Sequence, residues 1–289
     1  MGLKRRIYST QTLTVDGTEL PVKNFSVSRE IPKEPVMGIG ILKGGDQIQK
    51  GVETFKVDVK CFLPKAGGGV AAIPTSFFQT LCKNAEKGVY SSIAITDATA
   101  NNAPLNVVLT SISMDNTVGD FVELGLGFQG IGNPQLNDIG TDITTAPGVS
   151  TTKDMAVYDS SEVTLDSSYG DTIKSVKFSF ELNVEPLFHL GAPSSMLNSA
   201  AKDVANLAKA ACIAKAPYKA SLSFDGTQVK ARADANNRGG DLPAVSFGNQ
   251  SFTIANGALK SFSVSQTPGE IGAAFSASYE GTYIASLFS

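Results

Sequence analysis

Between Phe55 and Leu63 the chain alternates without a break: Phe55, Val57, Val59, Cys61 and Leu63 are apolar, while Lys56, Asp58 and Lys60 are charged. A period of two puts the two sets on opposite faces of a strand, so this segment predicts a sheet with one buried and one wetted face. The pattern returns at Val122, Leu124, Leu126 and Phe128, at Val176, Phe178, Phe180, Leu182 and Val184, and at Ile271, Ala273, Phe275, Ala277 and Tyr279. Strands are also expected over 90–96 and 105–113. The period changes where Phe77, Phe78, Leu81, Cys82 and Ala85 share one helical face, behind Pro74, Thr75 and Ser76 and ahead of Gly88. A second, longer helix is expected where Ser194 and Ser195 precede Met196, Leu197, Ala200, Val204, Leu207, Ala208 and Ala211. Asp16-Gly17, Asp225-Gly226 and Asn256-Gly257 predict tight hairpin turns, because these dipeptides accept positive φ. Residues 32–51 form a long, Gly-bearing connection without periodicity, a flexible loop or one ordered against a partner.

The end of the chain resembles its middle. Residues 109–130 (LTSISMDNTVGDFVELGLGFQG) and 259–281 (LKSFSVSQTPGEIGAAFSASYEG) share Leu109/Leu259, Ser111/Ser261, Ser113/Ser263, Thr117/Thr267, Gly119/Gly269 and Gly130/Gly281 across one inserted residue. A spacing of about half the chain fits two copies of one small domain and is too long for a solenoid. The expected division is a first domain over 1–135, a linker over 136–155 and a second domain over 156–289. Strand 55–63 is matched to strand 176–184, because that register preserves the order strand, helix, strand. The competing register matches Glu34-Pro35 to Glu185-Pro186, since EPVMGIG resembles EPLFHLG.

Composition narrows function more than it identifies it. The net charge is −3, and neither half departs far from neutrality, so no basic field exists to hold nucleic acid by counterion release. Lys4, Arg5 and Arg6, the only basic run, read as a surface or partner-facing tail. Three cysteines, Cys61, Cys82 and Cys212, sit in apolar patterns without CxxC spacing and read as buried thiols of a protein folded in a reducing cytoplasm. No apolar leader or membrane-length run is visible. Gly125 to Gly130 matches GxGxxG, but the glycines lie inside a strand with no helix after them, and Ser276 and Ser278 replace Gly125 and Gly127 in the second copy. They read as a strand that lets another backbone approach. His189, the one histidine, has no ligand-spaced partner, and Asp115, Asp120 and Glu123 read as a solvated hairpin tip. No catalytic, cofactor-binding or metal-binding residues are assigned, and the chain is not expected to be an enzyme.

The hairpin VDGTELPVKNFSVSRE, the long Gly-rich loop after it, the strand FKVDVKCFL, the single helix and the closing hairpin together resemble the tail tube proteins of bacteriophages. That family is structurally similar to the ring protein of type VI secretion. The resemblance implies a mainly β fold with one helix per domain: two tandem β-sandwich or half-barrel domains whose sheets join around a ring into an inner barrel. It implies trimeric pseudo-hexameric rings, with a hexamer as the alternative, which stack into the tube of a virion tail assembled in the host cytoplasm. Tape-measure and other tail proteins would be partners, and genomic DNA would cross the lumen during ejection without specific binding. Neither a cofactor nor a membrane is implied. A baseplate hub, a tail-completion ring and a fibre or adhesin binding module are the competing readings.

Overall fold

The alternating segments form strands, and their apolar faces meet in one core. The computed structural model describes residues 4–8, 11–35, 47–49, 53–67, 69–97, 104–132, 134, 152–165, 173–189, 209–228, 238–240, 244–255, 257–266, 268 and 273–288. The first half contains β1 (Lys4–Tyr8), β2 (Gln11–Val15), β3 (Thr18–Leu20), β4 (Val22–Glu30), β5 (Lys33–Pro35), β6 (Gln47–Gln49) and β7 (Thr54–Phe62). Helix α1 (Ser76–Lys87) follows, then β8 (Ser91–Asp97), β9 (Leu105–Thr117) and β10 (Glu123–Ile131). The second half contains β11 (Thr152–Ala156), β12 (Val163–Leu165), β13 (Ile173–His189), β14 (Lys209–Gln228) and β15 (Arg238–Gly240). It ends with β16 (Val245–Phe247), β17 (Gln250–Phe252), β18 (Ile254–Ala255), β19 (Gly257–Ser265), β20 (Ala273–Gly281) and β21 (Tyr283–Ile284). The architecture is mainly β, with several sheets and, among the described residues, one α-helix.

A 12-stranded sheet crosses both halves in the order β4-β7-β10-β9-β13-β14-β20-β19-β15, with β2, β3 and β8 branching from β9. Apart from β15, the second half repeats the first: β13, β14, β20 and β19 stand where β4, β7, β10 and β9 stand. Irregularities in the ladders repeat too. An extra residue, Lys23, interrupts β4 against β7, and Lys174 interrupts β13 against β14 at the same point. Thr110 in β9 and Lys260 in β19 are likewise the extra residues against β10 and β20. Core positions line up as Phe25–Val59–Leu126–Ile112 in one copy and Val176–Phe224–Ala277–Phe262 in the other.

This order corrects the expected repeat register. The counterpart of β13 is β4, not β7, so the match of Glu34-Pro35 to Glu185-Pro186 is the structural one. In it Ser28/Ser179, Glu30/Glu181 and Gly40/Gly191 are also identical. The short pair β5–β6 continues the β4–β7 hairpin into the 32–51 connection, whose residues 36–46 and 50–51 lie outside those described.

Several local expectations change with it. Asp225-Gly226 is no turn but lies inside β14, paired to Ser175 and Ile173 on one side and to Ser276 and Phe275 on the other. Two flanking ladders outweigh a dipeptide's turn preference, because each strand residue gains main-chain hydrogen bonds on both sides. Asn256-Gly257 does not close a hairpin either: β18 pairs with β21, while β19 pairs with β20. The tight turn at that end is Gly248-Asn249, joining β16 to β17. The second helix is not formed at Ala211, which is in β14, and its remaining positions fall outside the described residues. In the connection equivalent to the one carrying α1, the described residues form β15 to β18 instead. Lys4, Arg5 and Arg6 belong to β1, which pairs with β11, so they are strand residues and not a tail. Residues 152–155 of the expected linker are therefore strand. Just after them Lys65 N–H donates to the Ala156 carbonyl at 3.0 Å and Tyr158 N–H to the Leu63 carbonyl at 3.1 Å, fastening the start of the second half to the first.

Helix α1 fills the angle between the copies. Its face of Phe77, Phe78, Leu81, Cys82 and Ala85 is buried, and Gly88 ends it at φ 66° with N–H donation back to the Ala85 carbonyl. Phe78 meets Phe252 edge-on at 6.1 Å, and Phe252 stacks on Phe178 at 4.4 Å. Tyr218 donates to Glu86 at 2.8 Å, and burial together with that carboxylate pushes the phenol pKa up. Replacing Phe78 by Ala leaves a cavity between the halves. We expect a loss of about 3–5 kcal/mol in reversible denaturant unfolding, with both halves losing structure in a single transition.

Candidate assembly surface

The face of the long sheet turned away from the core is built from small polar residues and scattered charges. One row across it reads Lys60–Gly125–Ser113–Ser179–Ser221–Glu280, and the next reads Asp58–Gly127–Ser111–Glu181–Lys219. A third runs Ser175–Asp225–Ser276–Ser263. The hydroxyls satisfy one another along these rows. Ser179 and Ser221 lie 2.7 Å apart, as do Ser263 and Ser276, and Ser175 donates to Asp225 at 3.0 Å.

Three lysines on this face are paired with carboxylates. Lys177 and Asp115 are directly opposed on β13 and β9, 3.0 Å apart. Lys23 pairs with Glu123, and Lys260 with Glu280, whose pKa the lysine's hydrogen bond holds below the usual carboxylate range. Such exposed pairs add little stability. Their effect is on the local field, because a neutralised cation is a poor anchor for phosphate.

The glycines of the apparent GxGxxG sit here with a packing role. A Cβ on Gly125 would fall 2.4 Å from Ser113 Oγ, and one on Gly127 would fall 2.4 Å from Ser111 Oγ. At Gly130 the obstacle is the Phe55 ring at 2.2 Å and the Asn106 carbonyl at 2.9 Å. The close backbone approach expected from the sequence is present at Gly130 alone, whereas Gly125 and Gly127 make room for side-chain hydroxyls. The three carboxylates of the hairpin region act separately: Asp115 and Glu123 take the lysines above, and Asp120 accepts from Phe121 N–H at 2.8 Å. His189 ends β13. Cys61, Cys82 and Cys212 are buried and unbridged, as expected, and burial pushes the Cys212 thiol up to about 12 and the other two higher. Among the described residues no three His, Cys, Asp or Glu side chains group as metal ligands, and no helix is long and apolar enough to cross a membrane.

The sheet's two ends were not visible in the sequence. At one end is β4, which among the described residues pairs with β7 alone. At the other, β15 pairs with β19 only at Ala258 and Gly257, so no strand among the described residues covers the outer edge of β19 from Leu259 to Ser265. Phe262 and Val264 lie on that edge, on the core-facing side beside Ala277 and Phe275, and are 37% and 44% exposed. Unpaired main-chain groups on an open strand edge are accessible to another strand.

Searches against protein-family models and curated proteins find no match.

The glycine contacts separate two kinds of substitution. Gly125→Ser has only a rotatable hydroxyl to displace and should change stability by less than about 1 kcal/mol, as the Ser263–Ser276 pair of the second copy suggests. Gly130→Ala drives a methyl into a buried ring and a carbonyl and should cost about 1–3 kcal/mol. Paired denaturant melts give both numbers.

Proposed function

We propose that the chain is a structural virion protein, the subunit of a bacteriophage tail tube, and that it is not an enzyme. In this reading three chains make a pseudo-sixfold ring, each tandem tail-tube-like half taking one of six places. Rings stack into the conduit through which tape-measure protein and genomic DNA pass. The supporting observation is the long sheet: two four-strand sets follow one another in the same order, with one face packed and the other lined by Ser, Gly and offset charges.

Dimensions favour three chains over two. At about 4.8 Å between strands and a tilt of about 40°, the run from β4 to β19 contributes about 50 Å of barrel perimeter. Three runs enclose a barrel about 48 Å across, which short side chains reduce to about 40 Å. Two runs leave about 24 Å, scarcely wider than the roughly 20 Å of duplex DNA. A wall without a net basic field would let a polyanion slide, since the lysines of the described face stand among carboxylates, Lys177 opposite Asp115 and Lys219 opposite Glu181.

Sedimentation velocity with electron microscopy of the purified chain tests the reading. We expect a trimeric species that stacks into hollow tubes as concentration rises. Six chains per ring would favour the hexamer, closed rings that never stack would favour a hub or tail-completion protein, and monomers at every concentration would remove the reading.

A further inference from the structure

The two open edges of the sheet are the counterparts of the two strands already joined inside the chain. Within the chain, β9 of the first copy pairs with β13 of the second. The equivalent of β9 is β19, and the equivalent of β13 is β4, and among the described residues these carry the two open edges, β4 on the side away from β7 and β19 from Leu259 to Ser265. We propose that β19 of one chain pairs antiparallel with β4 of a second copy, in the register fixed by the internal joint. This inference deepens the ring reading above and rests on it.

Transferring the internal register position by position places Val27 opposite Val264, where Phe178 meets Met114 inside the chain. Ser28 then opposes Ser263, as Ser179 opposes Ser113, and Glu30 opposes Ser261, as Glu181 opposes Ser111. These last two rungs are identical in residue type between the internal and the external joint.

Burial agrees with the transfer. Ile112 and Met114 are 0% and 1% exposed because β13 lies beside them, whereas Phe262 and Val264, at the same places in β19, are open. On the other side Val176 and Phe178 are buried, while Phe25 and Val27, at the same places in β4, are only partly covered. Each edge therefore keeps apolar side chains that only a neighbouring strand on that side would cover.

The two joints differ in strength. The internal one carries Phe180 and the Lys177–Asp115 pair, and the external one would carry Arg29 and a Ser26–Ser265 rung at those places. Chains should consequently separate from one another before the halves of a chain separate.

Thiol crosslinking on the full-length chain tests the register, because Ser28 and Ser263 are both exposed in the single chain and tolerate Cys. The double variant Ser28→Cys/Ser263→Cys, treated with a short bis-methanethiosulfonate reagent, should yield covalent dimers and trimers. A displaced pair, Ser26→Cys/Ser261→Cys, is about 13 Å out of step and should yield about tenfold less. A second set needs no reagent: Ser28→Asp/Ser263→Asp should prevent assembly by opposing like charges, and Ser28→Lys/Ser263→Asp should restore it. Sedimentation is read in parallel. Rings whose displaced pair crosslinks as well as the aligned one, or that ignore the charge variants, overturn this joint and leave the ring reading standing. A wild-type chain that never leaves the monomer overturns both.

Discussion

The structure depends on one ladder, the pairing of β9 with β13. It turns two four-strand sets into one sheet and satisfies main-chain groups that would otherwise face each other unpaired across the middle of the molecule. Its strength lies on the inner side, where Phe178 and Phe180 meet Met114 and Ile112, all four essentially inaccessible to water. Burying side chains of that size contributes about 1.5–3 kcal/mol each against an exposed reference. The opposed Lys177 and Asp115 on the outer side are both well exposed, so their share is minor.

Helix α1 makes this joint stiff. It belongs to the first copy in sequence, yet Phe78 contacts Phe252, Glu86 accepts from Tyr218, and Gln79 donates to the Ser286 carbonyl at 2.8 Å, all in the second. A Cβ on Gly88 would lie 2.8 Å from Ile213, so the helix end is pressed against β14 as well. Most of the buried apolar residues of both halves accordingly belong to one continuous cluster, and a smaller one joins Phe62 and Val70 of the first half to Met155 and Val157 of the second. A hinge at the joint would have to break the larger cluster. The angle between the copies is thus a property of the chain, and the ring proposed above would need such a fixed angle.

What was legible in the sequence is what local periodicity controls. The alternation at Phe55 to Cys61 gave β7, the helical spacing at Phe77 to Ala85 gave α1, and Gly88 marked its end. Failures occur where a distant strand decides. Asp225-Gly226 has turn chemistry, but β13 and β20 hold it extended from both sides. The repeat was found from its closing hairpin, yet its opening strands were misaligned, because two strands with the same period-two pattern cannot be told apart by pattern alone. The bulges at Lys23 and Lys174 resolve that ambiguity, and a bulge leaves little trace in composition. The open edges were illegible for the same reason: Phe262 and Val264 look like core positions, and only the strand order reveals that nothing within the described residues lies beyond them.

The outer face carries a further constraint that explains its residue types. Eight neighbouring strands with large side chains on both faces would need a partner layer on each. Serine and glycine remove that need, because their side chains are short and the hydroxyls bond to one another across the rungs, as in Ser179–Ser221 and Ser263–Ser276. In the first copy Gly125 and Gly127 stand where a Cβ would meet neighbouring side-chain oxygens, and in the second copy Ser276 and Ser278 take their places. A face of this kind is stable in water without being covered, offers few apolar handles, and mixes its lysines with carboxylates, as where Lys219 opposes Glu181 and Lys177 opposes Asp115. Those are the properties required of a wall past which a long, highly charged polymer must move without stopping.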